Sequence, residues 1–153
     1  MTTPPILVFG WGNPSRGDDA LGPLFVAAVE ALALPGVECL TDFQLQVEHA
    51  CDLAERRRVL FVDASIEAEA PYTLSELSPA RDHTFSSHAM SPQAVLQAWA
   101  DLGNPMPSEV RLLAIRGESF ELGDGLGTAA AAHLAQALDF ARGWLATGDP
   151  SPA

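Results

Sequence analysis

The sequence predicts an α/β three-layer sandwich, a twisted and mostly parallel sheet of about five strands between helices. Three observations carry that expectation. Short continuous apolar runs, Ile6-Leu7-Val8-Phe9 and Val59-Leu60-Phe61-Val62, suit strands buried on both faces. Stretches with apolar residues at helical spacing alternate with them, as in a sheet covered by helices. At 153 residues and 48% hydrophobic content the chain can fill one core and is too short for two. Residues 1–148 are therefore read as a single domain and 149–153 as a frayed tail.

The elements follow in order. Residues 6–10 form the first strand, closed by Gly10, and 12–19 a loop. A helix over 20–34 places Leu21, Leu24, Phe25, Ala28 and Val29 on one face, and Pro35-Gly36 stops it. Residues 37–41 read as a strand, 47–55 as a helix and 58–63 as a second buried strand. Residues 72–77 alternate behind Pro71 as an edge strand, and 79–87 form a loop. Ser91 caps a helix with Pro92 at its first position, leading into 94–102. Residues 110–115 are the last core strand. Thr128 caps a long helix carrying Ala131, Leu134, Ala135, Leu138, Ala141 and Leu145, which Gly148 and Pro150 end.

Charge and composition exclude several functions. Twenty acidic against eight basic side chains give a formal charge of -12, which repels phosphate backbones and anionic headgroups, so no nucleic acid and no membrane partner is expected. The apolar run at 6–9 is too short to span a bilayer, and the N-terminus lacks the positive region of a secretory signal. A cytoplasmic protein is expected. Cys39 and Cys51 are too few for a disulfide framework and read as small buried hydrophobes.

The segment Gly10-Trp11-Gly12-Asn13-Pro14-Ser15-Arg16-Gly17-Asp18-Asp19 joins the first strand to the first helix, where open α/β sheets place their ligand crevice. A dinucleotide fingerprint needs a third glycine where Ser15 stands, and the acids after it repel a pyrophosphate. Asp18 and Asp19 suit helix capping. Asp63 ends a buried strand, where a carboxylate is expensive unless paired or metal-bound. His88 precedes the Ser91-Pro92 helix start in a loop reaching the same sheet edge. His133 falls near the packing face of the last helix, whereas His49 and His83 lack a comparable context. Two carboxylates and one imidazole make a borderline set that suits a divalent transition metal. The acidic, glycine-rich loop 117–125 reads as a solvated turn or a wall of the cleft, and Trp11 as a partner contact or a lid on the sheet edge.

Gly10-x-Gly12-Asn13 followed by Asp18-Asp19 and Gly22 resembles the opening motif of the hydrogenase maturation endopeptidases. Phe61-Val62-Asp63-Ala64 is similar to that family's second metal-ligand strand and Ser87-His88-x-x-Ser91-Pro92 to its histidine segment. The resemblance runs from residue 6 to about residue 145. It implies a phosphorylase/hydrolase-like sandwich and removal of a C-terminal extension from a [NiFe] hydrogenase large subunit once nickel is inserted. By the same resemblance Asp19, Asp63 and His88 are the catalytic and metal-binding residues. The nickel is supplied by the nickel-loaded large-subunit precursor; zinc or cadmium could take its place in isolation. Asp42 and Asp18 are candidate substrate contacts. Where many members carry Asp-Gly-Gly, this chain has Asp42-Phe43-Gln44-Leu45-Gln46, which resembles the subgroup serving soluble NAD-linked hydrogenases.

No serine, cysteine or threonine has an evident base and orienting partner, so metal-assisted hydrolysis is the expected chemistry. The ion would polarise the scissile carbonyl and activate water, or act as a recognition signal alone. Two rivals remain from sequence. A non-cleaving nickel chaperone or docking factor could use the same three ligands. Peptidyl-tRNA hydrolase shares a Gly10-x-Gly12-Asn13-Pro14-like loop, but the charge and the Asp18-Asp19 pair oppose it.

Overall fold

The computed structural model describes residues 2–82 and 90–146. Its five strands are β1 (Ile6–Trp11), β2 (Val37–Asp42), β3 (Arg58–Ser65), β4 (Tyr72–Glu76) and β5 (Glu109–Arg116). They form one sheet in the order β2-β1-β3-β5-β4. All neighbours are parallel except β4, which runs antiparallel to β5 at the edge. The helices are α1 (Leu21–Ala31), α2 (Pro92–Asp101) and α3 (Thr128–Ala146). Among the described residues no helix is long and apolar enough to cross a membrane.

Strand alternation divides the core in two. Ile6, Val8, Leu60, Val62, Leu113 and Ile115 pack against α1 and α3. Leu7, Phe9, Val59, Phe61 and Val110 point the other way, onto Val95 and Leu96 of α2 and onto Leu45, Ala50 and Leu53. This is the expected three-layer sandwich. The same parity decides where the site faces: Asp63 continues the row Val59, Phe61, and Trp11 continues the row Leu7, Phe9, so both belong to the α2 side.

Local geometry moved several boundaries. The helix expected from residue 20 begins with a 3-10 turn, Gly17–Ala20, and α1 proper starts at Leu21. Pro23 is tolerated there because first-turn amides have no intrahelical partner. The helix ends at Ala31 rather than residue 34, since Ala33 takes a left-handed φ of 50°. The expected helix over 47–55 is instead a 3-10 segment, Val47–Leu53, because Ala54 is extended and Glu55 sits at φ 64°, which breaks the helix before a second α-turn closes. Ser91 does cap α2, its Oγ accepting the Ala94 amide at 3.1 Å. Thr128 is not the residue before the last helix; it is the first helical one, and the Gly127 carbonyl accepts the Ala131 amide at 2.9 Å. Cys39 is half-buried, whereas Cys51 is exposed, since its 3-10 segment turns that position outward. Gly148, Pro150 and the tail 149–153 lie outside the described residues.

Candidate active site

The first loop is folded by its own backbone. At Gly22 a β-carbon would stand 2.3 Å from the Trp11 carbonyl oxygen, so the N-terminus of α1 can lie against the end of β1 only through a glycine. Gly12 has φ 148°, and a β-carbon there would meet the Asp19 carbonyl oxygen at 2.1 Å. Close approach at both points turns the chain back so that Asp19 faces the strand end. The Asn13 amide donates to Asp19 Oδ2 at 2.8 Å, and Asn13 Oδ1 accepts the Ser15 amide at 2.8 Å.

Asp63 leaves the end of β3 beside this loop and accepts the Ala64 amide through Oδ1 at 2.8 Å. Burial pushes its carboxyl up to about 7; the Ala64 hydrogen bond opposes this, and the negative charge of Asp19 adds to it. Asp19 and Asp63 are thus electrostatic neighbours, brought together from separate segments as expected. Among the described residues neither forms an ion pair. No third His, Cys, Asp or Glu among the described residues completes a metal-binding group with them. His88, the expected third ligand, lies outside the described residues, as does His83. The residues flanking that segment are anchored nonetheless. The Asp82 carboxylate accepts both the amide and hydroxyl of Ser91, and the Met90 amide donates to the Leu45 carbonyl at 3.2 Å.

Asp18 has a different place from the substrate contact expected of it. It is 2% exposed, and its carboxylate accepts the amides of Glu118 (2.7 Å), Ser119 (3.2 Å) and Gly127 (2.8 Å). Burial alone would raise its pKa; the amides of Gly127, Glu118 and Ser119, with the nearby His133, outweigh that and hold it below the usual carboxylate range. Asp18 ties the first loop to the segment before α3, a capping role directed at a distant loop. Through it, and through the Gly17 amide on the Asp124 carbonyl and the Gly123 amide on Ser15, loop 117–125 is bound to the first loop and is not a free solvated turn. His133 hydrogen-bonds the Arg116 carbonyl through Nδ1 at 2.9 Å, in keeping with a boundary position.

Asp42 ends β2 in register with Trp11. Its Oδ1 accepts the Phe43 amide at 2.7 Å, and its Oδ2 lies 3.1 Å from His49 Nε2. Sequence reasoning passed over His49. A signal existed: Gln46-x-x-His49 has the spacing of a capping box with histidine in the acidic position, and the Gln46 amide donates to His49 Nδ1 at 2.8 Å. A groove of about 610 Å³ lies at the opposite end of the sheet, over Leu77, Leu96, Met106 and Val110, and none of these acids lines it.

Compared with protein-family models and with curated protein sequences, the chain matches none. Solved structures do match along nearly its full length. A hydrogenase maturating endopeptidase, HybD, from E. coli is 26% identical with a TM-score of 0.72, covering 94% of this chain and 93% of that one. An endopeptidase from Escherichia coli is 28% identical with a TM-score of 0.71 over the same shares. A [NiFe] hydrogenase maturation protease, HycI, from Thermococcus kodakarensis is 20% identical with a TM-score of 0.74, covering 93% and 92%, a likeness of fold.

Proposed function

This chain belongs with the hydrogenase maturation endopeptidases, and from that premise we propose that it removes the C-terminal extension of a [NiFe] hydrogenase large subunit in the cytoplasm, recognising the nickel that the precursor carries. The observation that carries this reading is the Asp19–Asp63 pair. Burial, with the charge of Asp19 in the neighbouring 3-10 turn adding to it, holds Asp63 up to about 7, and among the described residues neither carboxylate has an ion-pair partner. Such a pair suits an arriving divalent cation.

In this reading Asp19, oriented by the Asn13 amide, and Asp63, oriented by the Ala64 amide, hold the substrate's nickel together with His88. Nickel bound there supplies Lewis acidity towards the scissile carbonyl and water. The backbone anchors do the positioning: each carboxylate keeps one oxygen on an amide, which fixes its direction before the ion arrives. Because the metal comes with the client, the enzyme acts on loaded precursor and passes over unloaded precursor. The Asp42-Phe43-Gln44-Leu45 segment leads us to a soluble NAD-linked hydrogenase as that client.

Incubating the protein with nickel-loaded and nickel-free precursor, and weighing the products, tests the proposal. Loss of a C-terminal peptide from the loaded form alone is expected. Retained binding with unchanged precursor mass would make the chain a docking factor, and cleavage of both forms would remove nickel from the recognition step.

A further inference from the structure

His49 is held through both ring nitrogens. The Gln46 amide donates to Nδ1 at 2.8 Å, so Nδ1 presents a lone pair and the ring proton sits on Nε2. Nε2–H then donates to Asp42 Oδ2 at 3.1 Å. The ring plane is set by an edge contact with Phe9, centroids 4.7 Å apart at 65°. The imidazole side chain is 11% exposed and the carboxylate it grips is 46% exposed.

A largely shielded ring thus grips an exposed acid. Asp42 Oδ1 takes the Phe43 amide at 2.7 Å, and the Asp42 carbonyl accepts the Gly12 amide at 3.1 Å. The carboxylate therefore stands where the Asp19-bearing loop begins, with Phe43 projecting beside it at 67% exposure. Both oxygens keep a lone pair for a further donor. A hydrogen bond to so exposed an acid adds little to stability; it does remove rotational freedom. Nor is His49 placed to act as a base, because its acceptor nitrogen is occupied by a backbone amide.

We propose that His49 is a positioning residue, whose Nε2–H fixes the Asp42 carboxylate at the rim of the site to accept a hydrogen bond from an N–H donor of the extended peptide segment being cut. This rests on the endopeptidase reading above. Two conservative variants divide His49 into its halves. In His49→Asn the amide oxygen can stand in for Nδ1 and keep the Gln46 cap, but the side chain is too short for Asp42. In His49→Gln the amide nitrogen can stand in for Nε2 and reach Asp42, while the cap is lost.

Steady-state cleavage of nickel-loaded precursor by the full chain should show His49→Asn raising KM about tenfold with kcat within about twofold. His49→Gln should keep KM within about threefold of wild type, although it melts at the lower temperature of the two. Adding Asp42→Asn to His49→Asn should change KM little further, since the two act as one unit. A wild-type KM in His49→Asn, or KM values that follow melting temperature, would overturn the proposal and leave His49 a cap. If the wild type binds precursor without cutting it, the endopeptidase reading fails. The same variant order in precursor dissociation constants then supports the His49 proposal, and its absence overturns it. A wild type that neither binds nor cuts overturns both.

Discussion

At the strand N-termini, arginines from Arg56 to Arg58 and Arg111 gather at one end of the sheet, and carboxylates meet them. Arg56 pairs with Glu38, Arg58 with Glu109 at 2.8 Å, and Arg111 with Glu109 at 2.9 Å. Burial works against ionised Glu109, yet the hydrogen bond and charge of Arg58, with Arg111, hold its pKa below the usual range. At the strand C-termini, Asp19 and Asp63 stand together without a cation among the described residues, and Asp63 is raised to about 7. One end has its charges satisfied by the chain itself. The other leaves charge to be satisfied from outside, which is where a binding site is expected.

Breaking the unsatisfied end should have the largest effect. Asp19→Ala should lower the cleavage rate of loaded precursor by roughly 100-fold or more, with the circular-dichroism spectrum unchanged. Unimpaired cleavage would remove Asp19 from the site.

Asp63→Asn sharpens the comparison, because it should lose cleavage while gaining stability. A folded pKa raised above the unfolded value means the native state holds the extra proton. Wild-type stability therefore declines as pH rises from about 4 to about 7, and the penalty is complete above that. The variant should be more stable at pH 8 by on the order of 2 kcal/mol, less than the full linkage value because the asparagine still buries an amide. Urea titrations at pH 8 and pH 4 check this; a gain that persists at pH 4 would not come from the ionised carboxylate.

Asp18→Asn has the opposite sign. A depressed pKa stabilises the fold above the unfolded value and the benefit disappears as pH falls through the folded one. Replacement should cost about 2 kcal/mol at neutral pH, and the difference from wild type should shrink in acid. Equal stability at pH 7 would mean the three amides are satisfied otherwise.

At the satisfied end, Arg58→Met should give the smallest change. It removes the bond to Glu109 and the stacking of the guanidinium 3.6 Å from the Trp144 ring centroid, while its carbon chain still fills the site. A loss of about 1–2 kcal/mol is expected, with kcat and KM unchanged. A change in KM would extend the binding surface to this end of the sheet.

The parallel strands were readable because burial on both faces leaves continuous apolar runs, as at Val59 to Val62. Asp19 and Asp63 were readable because each ends or adjoins such a strand, so topology alone brings them to one edge. Other features depend on partners that no local pattern reports. The amides that claim Asp18 lie about a hundred residues away, which turned an expected substrate contact into an internal tie. The 3-10 form of Val47–Leu53 follows from a left-handed Glu55, a conformation that its residue type does not advertise. His49 was obscured because its meaning lies in which nitrogen faces Asp42, a property of orientation.

The Asp18 tie also sets an order of assembly. Its partners are separated from it by 100, 101 and 109 residues. During synthesis the first loop leaves the ribosome early and waits for the Glu118 and Ser119 amides, and then for that of Gly127. A nascent chain halted before residue 118 therefore holds the first loop by its own Asn13 hydrogen bonds and not through Asp18. The base of the first loop is thus completed from a part of the chain made long after it, and its last tie waits for Gly127.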